Sequence, residues 1–160
     1  METLKTGPWI VRYDQEETAR RYALAEKGGP DECGCEYCRN FVAARENVYP
    51  DEARRIFNIL GIDCHKEAEV ARTHRVRFGW HSYIGWLHFI GSIEYSDNEY
   101  EPSDEKFQVV KDVKLTDYFS WAFFKSSGDP PCLDVFQREG VSEIFFSPEV
   151  PWVLNTPEPT

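Results

Sequence analysis

The stretch FGWHSYIGWLHFIGSIEY, residues 78–95, decides the fold class of this 160-residue chain. Its apolar residues alternate on both sides of an extended backbone. One set is Trp80, Ile84, Trp86 and Ile90, and the other is Tyr83, Leu87, Phe89 and Ile93. Alternation without a polar face predicts a strand covered on both sides. Gly85 and Gly91 are expected to be β-bulges or points where another part of the chain approaches closely.

The residues before this stretch carry mainly helical signals. Residues 8–13 predict a short strand, and Asp14 with Glu17 three positions later predicts the start of a helix. The clearest helix is expected over residues 50–60, which carry one apolar face and a proline suited to the first turn. A further helix is expected over roughly residues 64–75.

The residues after position 95 predict more strands. An acidic loop over residues 96–105 precedes an amphipathic strand at 107–115, and two further strands are expected within residues 118–125 and 142–147. Pro148 and Pro151 lack the N–H that a ladder needs, so the segment 145–154 is expected to be an edge strand or an extended arm.

Helical segments followed by strands predict an α+β fold. About three to four N-terminal helices are expected to pack on a mostly antiparallel sheet formed largely by residues 78–154. Residues 1–154 are expected to form a single domain, and 155–160 (NTPEPT) a disordered tail. The arm near 145–154 is a candidate surface for homo-oligomerisation.

The net charge of −10 lies almost entirely in the second half of the chain. Residues 1–80 hold 13 basic and 14 acidic residues, whereas 81–160 hold 5 and 14. An acidic surface repels phosphate backbones, which makes nucleic-acid binding unlikely. The one basic stretch, residues 72–77, is expected to be a solvated helix end. No signal peptide or membrane-spanning run is recognisable, so the cytoplasm is the expected compartment, where five cysteines stay reduced.

Three thiols lie within the six residues CGCEYC, 33–38. Zinc takes four ligands in a tetrahedron, and a Cys-x-x-Cys pair such as Cys35 and Cys38 brings two sulfurs to one side of a helical turn. Cys33 adds a third sulfur across Gly34. The fourth ligand is expected to be Cys64 or His65. The cluster therefore predicts a structural zinc site.

Three other interpretations of the cluster remain open. Cys35 and Cys38 can form a reversible dithiol at a helix start, although the surrounding pattern is not the βαβ pattern of thioredoxin-like proteins. An iron–sulfur cluster has weaker support because it needs four cysteines, and Arg39 excludes c-type haem attachment. The thiols can also be ordinary core residues, since free cysteine packs as a small hydrophobe.

The aromatic strand suggests a small-molecule pocket, lined by Trp80, His81, Tyr83, Trp86 and His88. A plain aromatic core is the alternative interpretation. The best functional hypothesis from the sequence is a non-catalytic binding or interaction domain with one structural zinc. The alternatives are a metal-dependent enzyme using only the three clustered thiols, a thiol-redox enzyme using Cys35 and Cys38, or a small-molecule binder.

Overall fold

The computed structural model of the protein describes residues 1–95 and 112–160, and it has the α+β architecture that the sequence predicts. In the described residues, helices pack on a seven-stranded antiparallel sheet in which the strand order is β1-β2-β4-β7-β6-β5, with β3 also paired to β4. The helices are α1 (Gln15–Leu24), α2 (Gly29–Cys33), α3 (Glu36–Ala44) and α4 (Asp51–Leu60). The strands are β1 (Glu2–Thr6), β2 (Trp9–Tyr13), β3 (Glu69–Arg77), β4 (Trp80–Tyr95), β5 (Val113–Thr116), β6 (Phe119–Lys125) and β7 (Val141–Pro151). Two 3₁₀ helices span Arg45–Asn47 and Asp134–Phe136.

The long strand β4 organises the sheet. One of its edges pairs with β7, whereas the other pairs with β3 along its first half and with β2 near its end. Side chains of α1 satisfy backbone groups in the gap between β3 and β2. The Tyr22 hydroxyl donates to the His88 carbonyl and accepts from the His88 N–H, and Thr18 accepts from the Ile90 N–H. Buried backbone polar groups need such partners, which explains why α1 lies against this edge.

An aromatic core fills the space between the helices and the sheet. The apolar face predicted for residues 50–60 is the buried face of α4, and Phe57 packs edge-on against Trp121 of β6. Gly85 leaves room for the ring of Phe146, because a Cβ at Gly85 would lie only 2.3 Å from the ring Cζ. The predicted close approach at Gly85 is therefore confirmed.

The helix predicted over residues 64–75 is wrong. After α4 the chain makes a turn, and β3 begins at Glu69 and pairs with β4 through the turn at Gly79. The β-branched residues of this segment, Val70, Thr73 and Val76, suit a strand once an adjacent strand is available, and tertiary pairing overrides weak helical signals. The sheet consequently includes residues 69–77 as well as the two N-terminal strands.

The edge strand predicted within residues 145–154 is also wrong. β7 lies inside the sheet between β4 and β6 and pairs with both. Pro148 and Pro151 are accommodated at its end. Near the segment 155–160, predicted to be a disordered tail, Trp152 Nε1 donates to the Thr156 carbonyl and Glu158 contacts the β3–β4 hairpin.

The acidic loop predicted at 96–105 and most of the strand predicted at 107–115 lie outside the described residues. Within the described residues, the later part of that strand is observed as β5, which begins at Val113. No helix in residues 1–95 or 112–160 is long and apolar enough to cross a membrane.

Candidate metal centre

The three clustered thiols converge at the junction of α2 and α3. The sulfur atoms of Cys33, Cys35 and Cys38 all lie within 4.8 Å of one another. Cys33 and Cys35 are exposed, whereas Cys38 is buried with its Sγ 3.9 Å from the Val70 carbonyl oxygen. The cluster thus sits at the surface with its inner wall against β3.

Local backbone geometry accounts for this convergence. Cys33 is the last residue of α2, and Gly34 follows in the left-handed conformation with φ of +67°. That conformation favours glycine and reverses the chain between two short helices. Cys35 is then the N-cap of α3, and its Sγ accepts a hydrogen bond from the Cys38 N–H at 3.4 Å. Capping places the Cys35 and Cys38 sulfurs on the same side of the first turn.

The thiols of Cys35 and Cys38 have opposite electrostatic environments. Partial burial tends to raise the pKa of Cys35, but hydrogen bonds from the Cys38 N–H and from the Cys38 and Cys33 thiols outweigh it. The pKa of Cys35 therefore lies below the ordinary thiol value of 9.0. Burial, together with hydrogen bonds to Cys35 and Cys33, raises the pKa of Cys38 well above that value. Within the Cys-x-x-Cys pair, Cys35 therefore loses its proton more readily than Cys38, and the thiolate is the form that can bind metal or attack a disulfide.

The spacing of the sulfurs suits a thiolate-bound metal ion. In a tetrahedral zinc site with Zn–S bonds of about 2.3 Å, the sulfurs lie about 3.8 Å apart. Three sulfurs within 4.8 Å of one another need only small movements to reach that spacing. Thiolates are soft ligands that select ions such as Zn²⁺ and Cu⁺ over Mg²⁺ or Ca²⁺. The cluster can therefore hold a thiophilic metal ion.

The structure does not bring the predicted fourth ligand to this cluster. Among residues 1–95 and 112–160, no fourth Cys, His, Asp or Glu ligand atom joins the group of three. Cys64 packs against the core, and burial followed by the charge of Glu67 raises its pKa to about 11. His65 is exposed, with Nε2 3.2 Å from Glu46 Oε1. The assignment of Cys64 or His65 to the metal shell is therefore not supported by the geometry.

The aromatic residues predicted to line one pocket are divided among three places. Trp80 stacks on Tyr118 and Trp86 packs on Phe145, on one face of the sheet. His81 and Tyr83 lie on the opposite face, against Tyr37 and Phe41 of α3. His88 is buried against Phe136 of the second 3₁₀ helix, with Nε2 3.5 Å from Glu143. This division matches the alternation of strand side chains. Two of the rings, Tyr83 and His88, pack on the core residues Phe41 and Phe136.

The sequence did not predict the residues of α3 that bind the end of β7 and the segment after it, beside the thiol cluster. Asn40, buried on α3, donates to the Pro151 carbonyl and accepts from the Val153 N–H at 2.7 Å. Tyr37, between the two thiols of the Cys-x-x-Cys pair, packs edge-on against Trp152 and under the guanidinium of Arg72. No local signal marks Asn40, since its partners lie 111 and 113 residues away.

Comparisons with protein-family models, curated proteins and solved structures give no match for this chain.

Proposed function

We propose that this protein is a non-catalytic binding domain that holds one zinc ion through Cys33, Cys35 and Cys38. The observation that carries the proposal is the convergence of three sulfur atoms within 4.8 Å at one surface site. The proposed compartment is the cytoplasm, in which zinc thiolates and the five free cysteines are stable.

The exposure of the site supports a role in interaction. Two of the three thiols are exposed, so a metal bound there would face solvent on the side away from Val70. Zinc completes its shell with a fourth ligand, which water or a side chain of a partner can supply. In this proposal the ion both fixes the junction of α2 and α3 and offers one exchangeable position to a partner.

Metal analysis of the whole chain tests the proposal. Protein purified without added metal should contain about one zinc per chain, with three thiols shielded from alkylation until a chelator is added. Cys38→Ser should abolish binding, whereas Cys64→Ser and Cys132→Ser are matched controls that keep it. A chain without zinc, with equal access to all exposed thiols and no uptake of added zinc, contradicts the proposal.

A dithiol redox function is the second candidate, favoured by the asymmetry between Cys35 and Cys38. An exposed thiol of lowered pKa at a helix N-cap, next to a buried thiol of raised pKa, matches an attacking and a resolving cysteine. Incubation with oxidised glutathione distinguishes the two. Loss of two hydrogens in a peptide linking Cys35 to Cys38, reversed by reduced glutathione, supports redox cycling. A stable zinc complex that resists this oxidation supports the binding domain.

A further inference from the structure

A buried carboxylate contact joins the segment after β7 to the hairpin formed by β3 and β4. Glu158 Oε2 accepts a hydrogen bond from the Gly79 N–H at 2.9 Å. Its other oxygen, Oε1, lies 3.1 Å from Arg75 Nε and 2.9 Å from His81 Nε2. His81 is fully buried, and only 10% of the Glu158 side chain is exposed. All three groups that face the carboxylate belong to one hairpin.

The hydrogen-bond partners of His81 determine which ring nitrogen carries the proton in the neutral ring. Arg72 Nε lies 3.2 Å from His81 Nδ1, and because a guanidinium can only donate, Nδ1 must accept. In the neutral ring the proton is then on Nε2, the atom that faces Glu158. However, His81 Nε2 and Glu158 Oε1 do not form a hydrogen bond of good direction despite their 2.9 Å separation. The carboxylate is thus held by charge and by the Gly79 N–H rather than by a fully formed network.

The segment that carries Glu158 is fixed to the body of the protein at Val153 and again at Glu158, and most of the residues between these two points are exposed. Residues 155–157 are exposed, and the Trp152 indole bond to the Thr156 carbonyl is a contact within the segment itself. Pro157 and Pro159 flank the glutamate and favour an extended backbone before binding, which lowers the ordering cost. A preformed hairpin site and a short extended ligand with one buried anchor are the features of a peptide-recognition contact.

We propose that Arg75, the Gly79 N–H and His81 form a recognition site for the glutamate side chain of an extended, proline-flanked peptide. Glu158 fills this site within the chain, and the same Pro-Glu-Pro motif of a partner peptide fills it in exchange. This site is separate from the thiol cluster and does not depend on the proposed zinc.

Because Glu158 belongs to the same chain as its site, a free peptide can displace it only at a sufficiently high concentration. A short flexible connection gives the attached segment an effective concentration on the order of millimolar. A free peptide with the same contacts must therefore compete at comparable concentration. Removal of the Glu158 charge should open the site to peptide at roughly tenfold lower concentration than in the unmodified chain.

The amide signal of Gly79 in an NMR ¹H–¹⁵N spectrum of the full chain tests the proposal. Glu158→Gln should move that signal by removing a carboxylate acceptor, while signals of the core stay in place. The peptide Asn-Thr-Pro-Glu-Pro-Thr should return the signal toward its original position, and the peptide with Gln in place of Glu should not. Glu149→Gln is the matched control, since the Glu149 carboxylate pairs with Arg77 of the same hairpin, whereas the Gly79 N–H donates to Glu158.

Arg75→Gln combined with Glu158→Gln provides an independent test from the opposite side of the contact. This double variant should lose the response to the glutamate peptide. An unchanged Gly79 signal in Glu158→Gln would overturn the proposal. Equal responses to the Glu and Gln peptides, or full peptide binding without Arg75, would also overturn it, because the carboxylate would then not be the group recognised.

Discussion

Replacing Arg45 by methionine should destabilise the protein more than any other single charge change among the described ion pairs. Arg45 donates to both oxygens of Glu67, at 2.7 and 3.1 Å, and to Asp31 at 3.1 Å. Glu67 is fully buried and also accepts from the Tyr49 hydroxyl at 2.7 Å. The network joins α2 to the end of α3, and the three thiols lie in these two helices and in the turn between them.

The magnitude follows from the burial of Glu67. Removing one partner of a buried ion pair costs about 3–5 kcal/mol, because the remaining charge has lost its compensation. In a protein of this length each kcal/mol lowers Tm by about 2–4 °C, so a decrease of roughly 6–20 °C is expected. Replacing Glu67 by methionine as well should restore part of the loss. The double variant then lacks an acceptor for Tyr49, at about 1–3 kcal/mol, but buries no unpaired charge.

The pH dependence gives a second measure of the same effect. Burial raises the pKa of Glu67, and the charge of Arg45 opposes this rise. Without Arg45 the pKa of the folded state lies still higher, so the folded state binds a proton that the unfolded state has released. A raised folded-state pKa gives stability that is lost as pH increases, and the deficit of Arg45→Met should therefore be smaller at about pH 5 than at about pH 8.

Urea unfolding followed by tryptophan fluorescence measures both quantities. Asp31→Asn is the control, because its carboxylate is about one-third exposed and its contact with Arg45 should contribute at most about 1 kcal/mol. A loss below about 1 kcal/mol for Arg45→Met, or a double variant whose loss equals the sum of the single losses, would refute the reasoning.

Three further outcomes follow from other parts of the molecule. Iodoacetamide near neutral pH should modify Cys35 before Cys38, since the pKa of Cys35 is lowered and burial raises that of Cys38. Mass spectrometry of digests taken at successive times measures the order, and modification of Cys38 first would contradict the prediction. Burial lowers the pKa of His81, so the free energy of unfolding should decrease as pH falls below about 6.5, and His81→Gln should flatten this dependence in urea titrations. Gly85→Ala places a Cβ 2.3 Å from Phe146 Cζ and should cost about 1–3 kcal/mol, part of which Phe146→Leu should restore; a neutral substitution would show that the ring moves freely.

Elements with a local cause could be predicted from the sequence. Asp14 caps α1 by accepting from the Glu17 N–H, as the spacing of these residues predicts, and α4 ends at Gly61 in the left-handed conformation. In both cases the residues that determine the boundary lie within a few positions of it. Capping and turn chemistry act over that distance, so their signals survive in the sequence alone.

The helix predicted over residues 64–75 was wrong because a distant partner, not the local residues, determines the conformation of this segment. Ala68 and Ala71, spaced to lie on one face of a helix, gave only a weak helical signal. It competes with a strand whose partner, β4, follows directly after the Phe78–Gly79 turn. A hairpin forms when both strands are present, and the strength of β4 as a buried strand decides the conformation of β3. The local sequence signal of the hairpin is Gly79, because glycine readily adopts the left-handed conformation that reverses the chain there, with φ of +77°.

The candidate metal centre also has a part determined by local residues and a part determined by tertiary packing. Three sulfurs within six residues converge through one turn and one helix cap, so the sequence predicts their proximity. The fourth ligand depends on where the chain lies after α4. The turn that follows α4 places Cys64 beside the core and in the field of Glu67, a consequence of packing that the thiol spacing does not encode.

Charge complementarity accounts for a contact that the hydropathy of the C-terminal segment does not predict. A segment without apolar residues is expected to remain disordered because it buries too little surface to offset its ordering cost. This reasoning omits a single buried contact with a preformed charged site. The basic stretch at 72–77 and the acidic second half were both visible in the sequence, and the structure pairs them through Arg75–Glu158 and Arg77–Glu149. Only the first of these pairs lies in the segment predicted to be disordered, and it depends on a charged contact that hydropathy does not describe.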